Sequence, residues 1–439
     1  MKVSPARRAA FEILRRVEEE AAYSSPLLAA TDLNARDRAL CHELVLGVLR
    51  NQLWLDRLIE RFSARPIEKL DLAVTLALRL ALYQLRFLTR IPQSAAVNES
   101  VNLVRSSRVK SAGPFVNAVL RRATREAKYD PVADVNDEIE KHAIETSHPL
   151  WLIERWSAQF GLEQAAAFAR ANNQPSPLAF RFTAKAAAGE ERLIEDLKTS
   201  GIELIESGIA PGAFRLTRRH ESIQKLVEEG LIYFQDEASQ LVAHLVEAHD
   251  GDRVLDVCSA PGSKATLIAA LSPMSFVVAG DLHEPRTRLV RDFAGRQHVK
   301  NLSVIRHDAA GGLPFPERAF DRVLVDAPCS GTGTMRHNPE IRWRLKVSDI
   351  SDLAEKQKSI LKNAAAVVGA GGRLVYSTCS VEKDENEHVV HKFLDDNPAF
   401  ERARLNVPES LLTNDAAART WPQRDDVEAF FVAAFQRKV

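Results

Sequence analysis

The feature that most constrains the fold is a change in the hydrophobic pattern after residue 236. From there, short apolar, β-branched runs alternate with segments of helical spacing. The predicted strands are 253–257, 276–280, 302–306, 322–325 and 373–376. Helices fit between them at 263–271, 285–296 and 349–368. Such alternation is typical of a parallel sheet covered by helices, so residues 236–439 are predicted to form an α/β domain. Two late segments, 401–404 and 429–437, could add antiparallel edge strands.

The chain before this domain falls into two parts. Residues 1–128 have helical spacing almost throughout, and the very apolar segment 72–88, which Asp71 can cap, is expected at the centre of a bundle. Gly113-Pro114 is expected to interrupt the helical pattern. Residues 129–235 predict a small α+β domain, with strands at 178–183, 203–206, 214–216 and 231–234 around a helix at 190–199. The predicted fold class is therefore multidomain: all-α, then small α+β, then α/β.

Composition and charge narrow the class of protein. With 45% hydrophobic and 27% charged residues, a largely disordered chain is excluded, and four cysteines are too few for a disulfide framework. No apolar run approaches the ~18 residues that cross a bilayer, and no leader pattern is present, so a cytoplasmic protein without a membrane partner is expected.

The charge is divided unevenly along the chain. The whole chain carries 59 basic and 59 acidic residues, whereas residues 1–128 hold 22 basic and 13 acidic ones, a formal charge of +9. A basic module of this kind favours a polyanionic partner such as a nucleic acid. A helical bundle whose arginines are merely solvated is the alternative.

Four aspartates lie near or just beyond the ends of successive predicted strands: Asp256, Asp281, Asp308 and Asp326. In an open parallel sheet ligands bind at the carboxyl ends of the strands, so these side chains should converge, although each alone could be a turn or helix cap. Asp281 is well placed to accept hydrogen bonds from ribose hydroxyls. The turn Cys258–Lys264 lets backbone amides approach a ligand, with Lys264 as a cation for a carboxylate. A P-loop and a dinucleotide fingerprint are both missing, which favours a nucleoside cofactor without phosphates, such as S-adenosylmethionine.

Two cysteines carry the sharper signal. Cys329 follows the fourth strand and Cys379 the fifth, so both thiols should lie at the same rim, one strand apart. Cys258 is expected beside the cofactor and Cys41 in a helical core. A zinc site is disfavoured because no Cys-x-x-Cys or suitable His pairing is present, and no metal is predicted.

A thiol at this rim suits covalent catalysis on a pyrimidine. A thiolate that adds to carbon-6 of cytosine makes carbon-5 nucleophilic enough to take a methyl group. A helix N-terminus after Cys379 could lower the pKa of that thiol, and Asp326 could hydrogen-bond the base.

These motifs resemble those of a known family. The segments DVCSAPGSK, DAPCSGTGTMRHNPEIRW and LVYSTCSVEKDENE are similar to those of the RNA m5C methyltransferases, the NOL1/NOP2/Sun family. RDRALCHELVLGVLR, LALYQLRFL and FVNAVLRR resemble the NusB-like RNA-binding domain that precedes the methyltransferase in bacterial 16S rRNA enzymes of the RsmB/Sun/Fmu type. The resemblance covers essentially the whole chain and implies a Rossmann-like catalytic domain.

The resemblance implies methylation of carbon-5 of a cytosine in 16S rRNA, the family position being cytosine 967. Cys379 would be the nucleophile, Cys329 would assist product release, and Asp326 would contact the base. Cofactor-binding residues would be Cys258, Ser259, Ala260, Pro261, Gly262, Ser263, Lys264, Asp281, Asp308 and Asp326. The partner would be free or early-assembly 16S rRNA, not DNA, and the protein a monomer. Ser259 and Ser263 depart from the usual Ala and Gly, and Ser263 should alter cofactor affinity without changing the reaction.

Several alternatives stay open. DNA cytosine methyltransferases use a Pro-Cys thiol as nucleophile, which makes Cys329 the competing candidate. An RNA-binding assembly or antitermination factor with an inert transferase domain, an amine methyltransferase and a tRNA-directed enzyme are further readings. Four basic residues near the Cys329 motif are candidates for RNA backbone contacts, the alternative being that some of them only solvate a loop: Arg336, His337, Arg342 and Arg344.

Overall fold

The structure, a computed structural model, describes residues 3–218 and 220–439. The chain forms two compact units, Met1–Gln174 with Met335–Arg344, and Pro175–Thr334 with Leu345–Val439. The first unit therefore contains the predicted helical domain together with further helices up to Gln174. Each unit is described in turn below.

The first unit is helical, as predicted. Its first ten helices are α1 Pro5–Glu19, α2 Ser24–Ala29, α3 Ala35–Arg50, α4 Gln52–Ser63, α5 Leu72–Phe87, α6 Gln93–Arg105, α7 Gly113–Arg125, α8 Glu138–Thr146, α9 Leu150–Phe160 and α10 Leu162–Ala171. Helix α5 is buried along its length from Val74 to Gln84, and the Asp71 side chain accepts a hydrogen bond from the Ala73 N–H, which confirms the predicted cap and the central position. Gly113-Pro114 begins α7 and does not interrupt a helix, because proline is tolerated in the first helical turn.

Residues 335–344 lie within the first unit, where their charged side chains are largely internal. Arg342 is fully buried and donates to the carbonyls of Thr146 and Ser147 and to Asn173 Oδ1, at 3.4, 3.2 and 2.8 Å. Arg344 is partly buried, and its guanidinium donates to three backbone carbonyls, those of Val17, Ala21 and Ala22.

The prediction that this basic group contacts RNA is therefore wrong for Arg342, whose guanidinium is committed to the interior. Arg336 is also buried, and of the four residues only His337 is exposed. The guanidinium groups of Arg342 and Arg344 donate hydrogen bonds to backbone carbonyls of the protein itself and not to a polyanion.

The second unit begins with a small antiparallel sheet, which confirms the predicted α+β segment. Its elements are β1 Leu178–Phe182, α11 Glu190–Thr199, β2 Leu204–Glu206, β3 Ala213–Leu216, α12 Glu221–Glu228 and β4 Ile232–Phe234. The strand order is β2-β3-β1-β4. Its phenylalanines pack into a separate small core, where the stacked rings of Phe180 and Phe214 have centroids 5.7 Å apart.

The larger sheet of this unit is the predicted parallel one with an antiparallel addition. Its strands are β5 Arg253–Asp256, β6 Phe276–Asp281, β7 Leu302–Arg306, β8 Phe320–Asp326, β9 Val368–Thr378, β10 Phe400–Arg402, β11 Ala418–Arg419 and β12 Phe431–Arg437. The order is β10-β12-β9-β8-β5-β6-β7, with β11 paired to β12. Strands β5 to β9 run parallel, whereas β12 is antiparallel to β9. The expectation of two late edge strands is thus half right: β10 is at the edge, but β12 is inside the sheet.

Helices cover both faces of this sheet. The remaining helices are α13 Glu237–Leu245, α14 Ser263–Leu271, α15 Glu284–Arg296, α16 Ile341–Arg344 of the first unit, α17 Val347–Val367, α18 Glu387–Asp396 and α19 Pro422–Asp425. Within β8, Val323 and Val325 pack with α17 and α18, whereas Leu324 packs with α13 and α14. Because successive strand residues point to opposite faces, the continuous apolar run of β8 supplies both cores.

Candidate active site

A cavity opens at the carboxyl ends of β5, β6, β7, β8 and β9, where the acidic strand ends were predicted to converge. Its volume is about 230 Å³. Seven of the predicted site residues line it: Cys258, Ala260, Asp281, Asp308, Asp326, Cys329 and Cys379. A cleft at the carboxyl ends of the strands of a parallel sheet is where such folds bind their ligands.

Asp281, the last residue of β6, is held in place by the turn that follows β5. Its carboxylate accepts hydrogen bonds from the Ala260 and His283 N–H groups, at 3.3 and 3.2 Å. The Arg286 guanidinium lies 3.2 Å away and also donates to the Ala260 carbonyl. These contacts fix the carboxylate at the cavity wall.

The other predicted cofactor residues shape the turn without lining the cavity. Ser259 donates through Oγ to the Gly280 carbonyl at 3.0 Å, a bond that an alanine could not make. Gly262 has a φ of +104° and precedes α14, and a Cβ there would lie 3.1 Å from Val290. Ser263 is the first residue of α14, and its carbonyl accepts from Arg181. Pro261 completes this turn.

Lys264 forms a buried ion pair with Asp326. Its Nζ lies 2.7 Å from Asp326 Oδ2, while Asp326 Oδ1 accepts from Ser377 Oγ at 2.8 Å. Burial favours the neutral amine, but the Asp326 carboxylate outweighs it, so the pKa of Lys264 is raised. Lys264 was predicted to bind a carboxylate of the cofactor, whereas in this structure it pairs with the carboxylate of Asp326.

Asp256 differs from the other three aspartates, since it is fully buried and does not line the cavity. Burial, with the nearby Asp326 carboxylate adding to it, raises the pKa of Asp256 to about 8. This side chain is thus largely protonated at neutral pH, whereas Asp281, Asp308 and Asp326 face the cavity.

The two predicted thiols are in direct contact. Cys329 Sγ and Cys379 Sγ are 3.3 Å apart, and both line the cavity. The hydrogen bond to Cys379 and burial raise the pKa of Cys329 well above the usual thiol range. Cys329 therefore keeps its proton at neutral pH.

The predicted helix N-terminus after Cys379 is wrong, since α18 begins only at Glu387. Cys379 interacts electrostatically with the amine of Lys264, which adds to the rise in the pKa of Lys264. Cys41 is buried within α3, which confirms the prediction of a core residue, and burial raises its pKa to about 11.

Sequence reasoning missed two residues. His307 lines the cavity with its Nε2 3.2 Å from the Val257 carbonyl, and Gly280 makes room for its ring, because a Cβ there would lie 2.0 Å from Cε1. Glu385 is fully buried between the two thiol-bearing loops. It lies inside the segment used for the resemblance, but its type and spacing alone signal no role.

Within residues 3–218 and 220–439, no group of three or more His, Cys, Asp or Glu side chains is arranged to hold a metal ion. None of the helices in that part of the chain has the length and apolar character that a membrane crossing demands.

Comparison with family models gives three matches in chain order. Residues 4–125 match the NusB family, residues 148–231 match the ferredoxin-like domain of RsmF/B-like methyltransferases, and residues 243–436 match 16S rRNA methyltransferase RsmB/F. These matches confirm the NusB-like and Rossmann-like domains expected from the resemblance and identify the small α+β sheet as ferredoxin-like.

Individual proteins agree with these models. The chain is 34% identical to a probable ribosomal RNA small subunit methyltransferase B of Bacillus subtilis, over 100% of both chains. It is 33% identical to the ribosomal RNA small subunit methyltransferase B of Klebsiella pneumoniae, over 91% of this chain and 90% of the relative. A crystal structure of a methyltransferase homolog protein from Pyrococcus horikoshii superposes with a TM-score of 0.60 at 28% identity, over 69% of this chain and 100% of that one.

The cavity, the paired thiols and these relatives lead to the same conclusion, which also excludes an inert binding factor. The chain belongs to the RsmB/F family of 16S rRNA methyltransferases and is an enzyme that transfers methyl groups from S-adenosylmethionine to RNA.

Proposed function

We propose that this enzyme methylates carbon-5 of a cytosine in 16S rRNA, at the family position, cytosine 967, through a covalent bond between Cys379 and the base. It would act as a monomer in the cytoplasm on free or early-assembly rRNA. The observation that carries the proposal is the contact of two thiols, 3.3 Å apart, at the wall of the cavity above the strand ends.

The residues at the cavity suit S-adenosylmethionine. Asp281 would accept hydrogen bonds from the ribose hydroxyls, Asp308, two residues beyond β7, would contact the adenine, and the backbone of the 258–262 turn would approach the ligand. When bound, this cofactor supplies a methyl group made electrophilic by its sulfonium. The acidic lining favours that positive charge.

The thiols divide the work on the base. Cys379 Sγ forms a bond to carbon-6 of cytosine, which moves the electron pair of the 5,6 double bond toward carbon-5, and carbon-5 then takes the methyl group. Loss of the carbon-5 proton and breaking of the sulfur–carbon-6 bond restore the ring. Cys329, which stays protonated in contact with Cys379, is positioned to assist this last step.

Asp326 would hold the target base. Its carboxylate is oriented by Lys264 and Ser377 from two sides and lines the cavity next to the thiols. A hydrogen bond from the exocyclic amine of cytosine to this carboxylate would stabilise the charge that develops on sulfur addition. Amine methyltransferases commonly place an aromatic residue after the corresponding strand. The segment Asp326–Cys329 contains none, which disfavours amine methylation.

The basic first unit would dock the RNA. Three exposed arginines lie at the end of α6 and on α7: Arg105, Arg121 and Arg125. Because each phosphate contact releases a counterion, replacing all three by glutamine should reduce the salt dependence of RNA binding. Unchanged affinity and salt slope would place the docking surface elsewhere.

The proposal is tested by bisulfite sequencing of 16S rRNA from cells that lack the gene. We expect the cytosine that resists bisulfite to become reactive in these cells, and to resist it again with the wild-type enzyme and with the control Cys41→Ala, whose sulfur is buried in the core of the first unit. Cys379→Ala should not restore this resistance. Resistance lost at a tRNA position, or restored by Cys379→Ala, would overturn the assignment.

A further inference from the structure

The two thiol-bearing loops meet at a single buried carboxylate. Glu385 Oε1 accepts from the Ser330 N–H at 2.8 Å and from Gln357 Nε2 at 2.9 Å. Its Oε2 accepts from the hydroxyls of Ser330 and Ser380, both at 2.5 Å. Ser330 follows Cys329 and Ser380 follows Cys379, so one side chain is bonded to the neighbour of each thiol.

The carboxylate uses its full bonding capacity there. Four donors meet the four lone-pair sites of the ionised group, and the side chain is fully buried. Ser380 Oγ also accepts from the Glu382 N–H at 3.1 Å, and the Tyr376 hydroxyl donates to the Glu385 carbonyl at 2.5 Å. Glu385 is thus anchored by its own backbone while it holds both serines.

Glu385 does not line the cavity, so it cannot touch the base or the cofactor. Burial raises the pKa of Glu385, against the opposing effect of its hydrogen bonds, yet all four neighbours donate to it. We propose that Glu385 is a positioning residue that clamps the two loops and keeps Cys329 Sγ against Cys379 Sγ, a role that rests on the proposed function for its consequence in catalysis. Loss of the clamp uncouples product release from base addition.

The contact can be measured without any methylation. The thiol oxidant diamide takes two protons and two electrons from Cys329 and Cys379, two S–H bonds break, one S–S bond forms, and diamide becomes the hydrazine. The rate at which this disulfide forms is followed by peptide mass spectrometry on the full chain. It reports how often the two sulfurs come into contact. Glu385→Ala and Glu385→Asp should slow it about tenfold or more, because one lost hydrogen bond to a buried charge corresponds to that factor.

Glu385→Gln separates positioning from proton transfer. Its amide can accept from the Ser330 N–H and Gln357 and can donate to both hydroxyls, so disulfide formation should stay within about threefold of the wild-type rate. The matched control is Glu387→Gln on the same segment, whose carboxylate pairs with Arg419 at 2.8 Å and should leave the rate unchanged. Ser330→Ala and Ser380→Ala, which each remove one hydroxyl, provide intermediate variants should Glu385→Ala fail to fold.

In methylation assays the Ala and Asp variants should accumulate the enzyme–RNA adduct, as expected for loss of Cys329 function, while the Gln variant turns over. Folded Ala and Asp variants that form the disulfide at the wild-type rate would refute the clamp. Loss of turnover in the Gln variant, with wild-type disulfide formation, would refute it in favour of proton transfer. Should the disulfide rates follow the prediction while no enzyme, wild type included, forms an adduct, the proposed covalent mechanism fails and the clamp stands.

Discussion

Asp256→Asn should stabilise the enzyme at alkaline pH and have little effect at acid pH. Asp256 ends β5 inside the sheet core, and burial with the Asp326 charge raises its pKa from 3.8 to about 8. The unfolded chain gives up this proton near pH 4, whereas the folded protein keeps it until about pH 8. Between these values the folded state binds more protons, so the free energy of unfolding falls as the pH rises.

The magnitude follows from the width of that window. One pKa unit corresponds to about 1.4 kcal/mol, so this group lowers the free energy of unfolding by about 1.4 kcal/mol for each pH unit between the two values. Across the whole window the upper limit is about 6 kcal/mol. The asparagine variant is neutral throughout and loses this slope.

Urea unfolding of the full chain at pH 5.5, 6.5, 7.5 and 8.5 measures the effect. The difference between wild type and Asp256→Asn should shift in favour of the variant by about 1–3 kcal/mol from the lowest to the highest pH. Asp292→Asn, at an exposed carboxylate on α15, is the control for a lost surface charge. A difference that is constant with pH, or that grows in favour of the wild type, would refute the idea that Asp256 is held protonated.

Three further changes test other parts of the molecule. Cys329→Ala should leave covalent RNA capture intact but accumulate the adduct on denaturing gels, and the reverse pattern in Cys379→Ala would exchange their assigned roles. Arg342→Met should lower the free energy of unfolding by about 3 kcal/mol, because it strands buried carbonyls that this guanidinium satisfies; a change confined to the salt slope of RNA binding would contradict the buried role. Gly280→Ala should weaken S-adenosylmethionine binding at least about tenfold in calorimetry, since a Cβ would displace the His307 ring, and unaltered affinity would show that His307 does not shape the site.

Much of the fold follows from periodicity alone. The predicted helices 190–199 and 263–271 and the strand 302–306 have the bounds that the structure gives them, because each is a regular repeat between clear turn residues. Helices α8 and α18 were not predicted. They are as long as α14 and α11, so length does not explain the omission; helices of this size depend on tertiary packing, which the sequence pattern does not show.

The burial of charged residues was harder to foresee. In the sequence Arg342 resembles an RNA-contacting residue, because it is a basic residue close to other basic residues and follows the Cys329 motif. Only the arrangement of Thr146, Ser147 and Asn173 around it shows that its donors are used internally. Sequence supplies the charge of a side chain, whereas its partners lie 160 residues or more away and depend on the completed fold.

The meeting of the two thiols shows how the order of strands creates chemistry. Strands β8 and β9 are parallel neighbours, and Asp326 is in register with Ser377. Cys329 lies three residues beyond the first and Cys379 two beyond the second, so both sulfurs rise to the same level above the sheet and meet at 3.3 Å. Had another strand separated β8 from β9, neighbouring strands being about 4.8 Å apart, the same motifs would leave the thiols too distant to act on one base. The motifs thus supply the reactive groups, and the strand order turns them into a pair.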